Sequence, residues 1–362
     1  MKNYNLLRQL LRAGLGLDNK WSPEGEVAWA EIYKLASNQG VAPIVWDGIK
    51  RLEEEGILSI SAIERSTKLQ WALSVETLEK RYERQRRVMV KLARFYGEEK
   101  IKMMILKGYG LSLCYPVPHH RSCSDVDIWL FGEQERADAM LRRRLSLPID
   151  EDKHHHTVFH IEGVMFENHY DFLNVESHRS NRDIEQELKE RAMQAKELKV
   201  EDVTLYTPNA NCHALFLVRH AAAHFAAVEI VLRHIIDWAM FIKHNHSEIE
   251  WTWLRRICRE QNMERFLDVI NVLAADICDV DLSLMPGTKR NKSLEMRVLK
   301  DILTPEFKRK QPKEGLLRIL VFKLQRWWSN RWKHRLVYRE GLLTTFFTQL
   351  RSHMLKPKSF KQ

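Results

Sequence analysis

The run Ser124-Asp125-Val126-Asp127-Ile128-Trp129-Leu130 constrains the fold of this 362-residue chain more than any other stretch. Aspartate is disfavoured in strands. Yet Asp125 and Asp127 alternate with Val126, Ile128 and Leu130 in the two-residue period of a strand. Both carboxylates therefore share one face and the apolar side chains take the other. Two carboxylates about 6–7 Å apart along a strand suit a hard divalent cation, with substrate phosphates supplying the remaining ligands. Upstream, a short apolar run, Met103–Leu106, stops at Lys107-Gly108. A brief helical segment, Tyr109–Tyr115, follows, and Pro116 and Pro118 punctuate the loop that leads into the aspartates.

A second stretch, His154–Phe172, adds to the site. Glu162-Gly163 sits between two alternating runs and predicts a tight hairpin turn, with glycine supplying positive φ. Pairing Ile161 with Val164 sets His156 opposite His169, Val158 opposite Glu167 and His154 opposite Asp171, all on one face. Thr157, Phe159, Ile161, Val164, Phe166 and Tyr170 fall on the other, with Asn168 as its main polar exception. A slip of one residue would mix the two sets, so the register is well specified. The polar face is expected to meet solvent. His154, His155, His156 and His160 invite a zinc site, but neighbours on a strand point to opposite faces, so they are not expected to converge.

A strand, a glycine turn, a helix and then Asp-apolar-Asp-apolar resemble the core of the DNA polymerase β-type nucleotidyltransferase superfamily. Leu106-Lys107-Gly108, Tyr115-Pro116 and the run from Arg121 to Asp127 together look most like a bacterial family of uncharacterised nucleotidyltransferases. The resemblance spans most of the chain. It implies an α+β, mainly helical fold with a small mixed β-sheet nucleotidyltransferase core flanked by N- and C-terminal helical regions. It also implies transfer of a nucleoside monophosphate from an NTP, with ATP expected, to an acceptor, with release of pyrophosphate and Mg²⁺ or Mn²⁺ as cofactor. The acceptor class stays open between small molecule, sugar, protein and RNA.

In that family pattern Asp125 and Asp127 are metal ligands. The third acid lies between apolar residues on a neighbouring strand, where Glu167 fits, as metal ligand and activator of the acceptor hydroxyl. Gly108 would let backbone N–H groups approach triphosphate, Lys107 would meet the β- and γ-phosphates, and Arg121 would contact phosphate. His169 would stand at the rim, facing acceptor or phosphate. The chain departs from the superfamily in carrying Lys107-Gly108-Tyr109 where Gly-Ser or Gly-Gly is usual, so no serine contact to phosphate carries over. Two other classes compete: a nucleotidyltransferase-like binding or regulatory module without turnover, and a glycosyltransferase with a D-x-D metal motif. The second needs a nucleotide-binding α/β half before the motif, and residues 1–100 read as helices.

Only 14 Gly and 10 Pro, with long apolar-periodic stretches, favour helices throughout. The organisation predicted is an N-terminal helical region (1–100), the core (101–206), a C-terminal helical domain (207–300) and a basic aromatic helical tail (301–362). The sheet should lie between the helical lobes. Helices are expected over Ser61–Lys100, Gln134–Leu145, Arg182–Leu198 and from Thr207-Pro208 as cap and first turn. Ser283–Ser293 reads as a linker, and Trp332–Tyr338 as a break between helical runs at Leu316–Trp328 and Gly341–Leu350. Five cysteines form no C-x-x-C pair and argue against a disulfide framework. With neither a cleavable leader nor a transmembrane run, a cytoplasmic protein is expected.

From Lys308 onward there are 15 Lys/Arg against two acids, more than the whole-chain surplus of +10. That tail predicts an anionic partner: nucleic acid, membrane surface or acidic protein. Arg233 and Asp237, one helical turn apart, read as a local ion pair, with a place in the substrate cleft as the alternative. His220 and His224 read as core or groove histidines.

Overall fold

The structure is a computed structural model and describes residues 2–307, apart from 19, 20 and 24, together with residues 312, 315–345 and 348. Four helices open the chain: α1 (Lys2–Gly14), α2 (Trp29–Asn38), α3 (Ala42–Glu54) and α4 (Arg65–Glu98). The core follows as β1 (Met104–Ile105), α5 (Tyr109–Ser112), β2 (Val126–Trp129), α6 (Gln134–Leu145), β3 (His156–Ile161), β4 (Val164–His169), α7 (Ser180–Ala192), β5 (Lys196–Val200) and β6 (Val203–Thr207). After the sheet the described residues continue through α8 (Ala210–Ala227), α9 (Leu232–Asn245), α10 (Trp251–Glu260), α11 (Glu264–Cys278), α12 (Lys292–Leu303), α13 (Leu316–Ser329) and α14 (Arg331–Val337). The fold is mainly helical α+β, as expected.

The six strands form one mixed sheet in the order β3-β4-β2-β1-β6-β5. β2 runs parallel to β4 and antiparallel to β1, which is parallel to β6. The β3–β4 hairpin has the predicted register, with Ile161 opposite Val164, Val158 opposite Glu167 and His156 opposite His169. Its turn needs positive φ at both central residues, and Glu162 and Gly163 stand at 50° and 76°. β3 begins at His156, so the expected pairing of His154 with Asp171 falls outside the strands.

The sheet separates two apolar cores. On one face Ile128, Leu130, Phe159, Phe166 and Leu205 meet the C-terminal half of α4, through Val88, Leu92 and Tyr96, and also α6. On the other, Met104, Trp129 and Phe172 join a larger core shared by α1–α3 and α7–α11. The N-terminal helices therefore pack with the C-terminal ones instead of forming a lobe across the sheet. α4 accounts for this. Its 34 residues span about 51 Å, so Trp71 near its start is buried with α3, donating to the Ala42 carbonyl at 2.8 Å, while its far end lines the sheet.

Several expected elements differ. The helix drawn over Arg182–Leu198 ends at Ala192, and the chain turns into β5, where Lys196, Leu198 and Val200 pair with β6. Charged residues at both periods made that edge strand look helical. The cap of α8 is Asn209, whose side chain accepts from the Cys212 N–H at 2.9 Å, two residues after the expected Thr207. The long helix starts at Arg65, after a 3₁₀ turn at Ile60–Ala62. Trp332–Tyr338 is mostly helix, as α14. Of the Gly341–Leu350 run, residues 346, 347, 349 and 350 lie outside the described residues. So do Lys308, Arg309, Lys310, Lys313, Arg351, Lys356, Lys358 and Lys361 of the basic tail.

Candidate functional site

Parallel pairing of β2 and β4 sets Asp127 directly beside Glu167, with both side chains on one face and the strands about 4.8 Å apart. His169 follows two residues along the same face, and His156 lies opposite it across the hairpin. β1 brings the next component: Leu106 donates its N–H to the Asp127 carbonyl at 3.1 Å, and Lys107 immediately follows. Its Nζ stands 3.1 Å from Asp127 Oδ1 and 3.1 Å from His220 Nε2 of α8. His169 Nε2 meets the same Oδ1 at 3.3 Å and Glu167 Oε2 at 3.5 Å.

The polar face was expected in solvent, yet Asp127 is 1% exposed and His169 4%. Alternation fixes which residues share a face, and only tertiary packing decides what covers it. Leu217 and His220 of α8 with Arg233, Asp237 and Trp238 of α9 form the opposite wall of a pocket floored by Lys107, Gly108, Asp125 and Asp127. Burial is the largest single influence on each group there, yet neighbouring charges reverse it at Asp127, Glu167 and His169. Burial pushes the Asp127 carboxyl up, but Lys107 and His169 outweigh it and hold the group well below the usual carboxylate range. Glu167 also ends below its ordinary value, because His169 offsets burial and the repulsion of Asp127. Burial lowers His169, but Asp127 and Glu167 raise it to about 9. Asp125 is raised, by burial first and by Asp127 next.

Asp127, Glu167 and His169 bring one ligand atom each to within 4.8 Å of one another. Asp127 Oδ2 is buried and has no hydrogen-bond partner, an expensive state for a carboxylate oxygen. That orphaned oxygen beside a second carboxylate fits a divalent cation. Asp125 belongs to no such three-residue group among the described residues. It precedes β2, accepts from Ser124 Oγ at 3.1 Å, and lines the pocket beside Asp127.

Gly108 lies at φ 54°, ψ −115° just before α5, a backbone conformation that L side chains rarely adopt. A β-carbon there would stand 3.2 Å from Cys123 Sγ. Arg121 is buried and held, with Nε and Nη2 on the two oxygens of Asp237 at 2.7 and 2.9 Å and Nη1 on the Gly108 carbonyl at 3.2 Å. It therefore fixes the glycine turn and the α9 wall. The loop before it is pinned too, by His120 between Asp47 and Glu79 at 2.5 and 2.8 Å.

The expected local pair of Arg233 with Asp237 gives way to this longer contact. A bidentate guanidinium offers better geometry than a helical neighbour, so Arg233 instead donates to the Ser122 carbonyl at 2.7 Å. Its Nε is buried without a partner, and the residue lines the pocket. Spacing in the sequence marked Arg233 for the cleft only as the alternative, and nothing local pointed to His220 reaching Lys107. His155 and His156 were not expected to converge, yet both approach His169, with ring centroids 5.4 and 5.0 Å away. His155 precedes the first residue of β3 and escapes the strand alternation.

A family model described as an uncharacterised nucleotidyltransferase matches residues 25–279, taking in α2 to α11 and the whole sheet. No curated protein matches. The crystal structure of an antigenic nucleotidyltransferase-like protein from Paracoccidioides brasiliensis is similar at 15% identity and a TM-score of 0.32, covering 44% of this chain and 75% of that one, too slight a likeness to bear on fold or function.

Proposed function

This chain belongs to the uncharacterised nucleotidyltransferase family, and we propose that it is a divalent-metal-dependent enzyme transferring a nucleoside monophosphate from an NTP, ATP being the expected one, to an acceptor hydroxyl. The observation that carries this reading is the juxtaposition of Asp127 and Glu167 on paired strands, with Asp127 Oδ2 buried and unpartnered. Asp125, Asp127 and Glu167 would hold Mg²⁺ or Mn²⁺. Such an ion, when bound, supplies charge stabilisation to the attacking and leaving oxygens.

The chain's own residues do the rest. The acceptor oxygen forms a bond to the α-phosphorus as the bond to the pyrophosphate oxygen breaks, and Glu167 takes the hydroxyl proton. Lys107 and His169 neutralise the carboxylates before substrate arrives, and both would turn toward phosphate when the nucleotide binds. Gly108 lets the backbone approach the nucleotide, and Arg233 adds a cation on the far wall. Arg121 positions both through Gly108 and Asp237. No helix among the described residues is long and apolar enough to cross a membrane, and all five cysteines are free thiols.

Incubating the chain with α-labelled NTPs, Mg²⁺ or Mn²⁺ and cell extract tests the reading. Label should enter an acceptor with the wild type and fail to enter with Asp127→Asn. A module that binds without turnover is the second reading, favoured by Lys107 already standing on Asp127 Oδ1. Metal-dependent NTP binding with no transfer under any condition would select it.

A further inference from the structure

Three imidazoles next to the carboxylates have no part in nucleotidyl transfer as described, apart from His169 at their edge. His155, His156 and His169 each bring a ring nitrogen to within 4.8 Å of the others. They come from the residue before β3, its first residue and the last residue of β4. The His155–His156 ring centroids are 4.4 Å apart. His156 is only 6% exposed, and neither of its ring nitrogens has a hydrogen-bond partner. The Nδ1 of His155 is likewise buried and unpartnered. Buried polar side-chain atoms almost always find partners, and each neutral imidazole carries one lone-pair nitrogen, so the two rings of His155 and His156 with unpartnered nitrogens can each offer one lone pair to a ligand that accepts it. His169 already makes the outer contact of a metal-ligating histidine, its Nδ1 meeting the Asp171 carbonyl at 3.1 Å, and its Nε2 would give up its proton and its contacts with Asp127 and Glu167 to bind the ion. A fourth donor is adjacent, since Glu167 Oε1 lies 3.7 Å from His156 Nε2.

We propose that His155, His156 and His169 form a binding site for one borderline transition-metal ion of the Zn²⁺ class, next to the oxygen-lined cation site at Asp125 and Asp127, bordered by Glu167 and drawing His169 away from Asp127. Imidazole nitrogens suit zinc, cobalt and nickel, whereas Mg²⁺ keeps to oxygen ligands. Tetrahedral coordination with metal–nitrogen bonds of about 2.0–2.1 Å sets the nitrogens about 3.4 Å apart, a closure that side-chain rotation can supply. Glu167 would then stand between two metal ions of different preference, and its charge would be shared by both.

The test uses the full-length chain, stripped of metal with a chelator and titrated with Co²⁺ alone. Co²⁺ should bind with visible absorption bands of an imidazole-rich, low-coordinate site, Zn²⁺ should displace it and excess Mg²⁺ should not. His155→Ala and His156→Ala should each weaken binding about 100-fold, and Asp125→Asn should leave the spectrum unchanged. His156→Gln, which keeps the volume, should show the same loss with an unaltered unfolding temperature, which separates ligand loss from misfolding. Absence of the bands in the wild type, or equal affinity in the histidine variants, would overturn the site. Co²⁺ binding without label transfer would count against the nucleotidyl-transfer function alone, and transfer without Co²⁺ binding against this site alone.

Discussion

Asp127 and Asp237 are two buried aspartates on opposite walls of one pocket, and their partners differ in kind. Asp237 is closed: Oδ1 accepts from Tyr115 Oη at 2.6 Å and Arg121 Nε at 2.7 Å, and Oδ2 from Arg121 Nη2 at 2.9 Å. Asp127 is open: Oδ1 faces Lys107 and His169, whereas Oδ2 has no hydrogen-bond partner. A rigid bidentate guanidinium satisfies a carboxylate fully. A lysine is a point charge on a flexible stem and leaves room for another cation. The closed aspartate builds the wall, and the open one is the carboxylate proposed to hold a metal ion.

The sharpest break in that contrast comes from Asp127→Asn, which should cut label transfer about 10³-fold or more. Its effect on stability should be the smaller of the two aspartates' because Asp125 and Glu167 still face Lys107 and His169. Urea unfolding alongside the transfer assay checks both. Asp237→Asn should invert the pattern, costing about 3–5 kcal/mol of stability by leaving the Arg121 guanidinium buried without its counter-charge. If the two variants prove equally unstable, the open–closed distinction is lost.

Ligand linkage gives a gentler measure. Mg²⁺ or Mn²⁺ at 100 times its dissociation constant should stabilise the wild type by about 2.7 kcal/mol. Asp127→Asn should not respond, and any Asp237→Asn protein that folds should. Calorimetry with and without the ion reads this directly.

Acid dependence should show the smallest difference. Burial raises the Asp237 carboxyl, but Arg121 outweighs it and holds the group below its ordinary 3.8. A depressed carboxylate contributes stability that is present above the unfolded value and lost as pH falls through the folded one. The wild type should therefore lose stability more steeply than Asp237→Asn below about pH 3.8. Equal slopes would mean that the buried pair does not hold in solution.

Much of the site was legible because it rests on short-range periodicity. Alternation around Asp125 and Asp127 located β2, and the Glu162-Gly163 turn set the hairpin register that brings Glu167, His156 and His169 to one face. Gln134–Leu145 was legible as a helix from its composition and the proline beyond it. β5 was not, because an exposed edge strand carries charges at positions that a helix would also place in water.

What the sequence by itself determined was therefore local: which residues share a face, where the glycine turn lies, and that acids alternate with apolar residues on one strand. Those follow from backbone geometry, which is the same wherever the segment is placed. Only the tertiary structure decided that Asp127 is buried, that Arg121 reaches across 116 positions to Asp237 rather than leaving it to Arg233, and that His220 closes over Lys107. Burial and long-range pairing depend on how helices α8 and α9 cover the sheet. That packing minimises exposed apolar surface over the whole chain and leaves no signature in any one stretch of it.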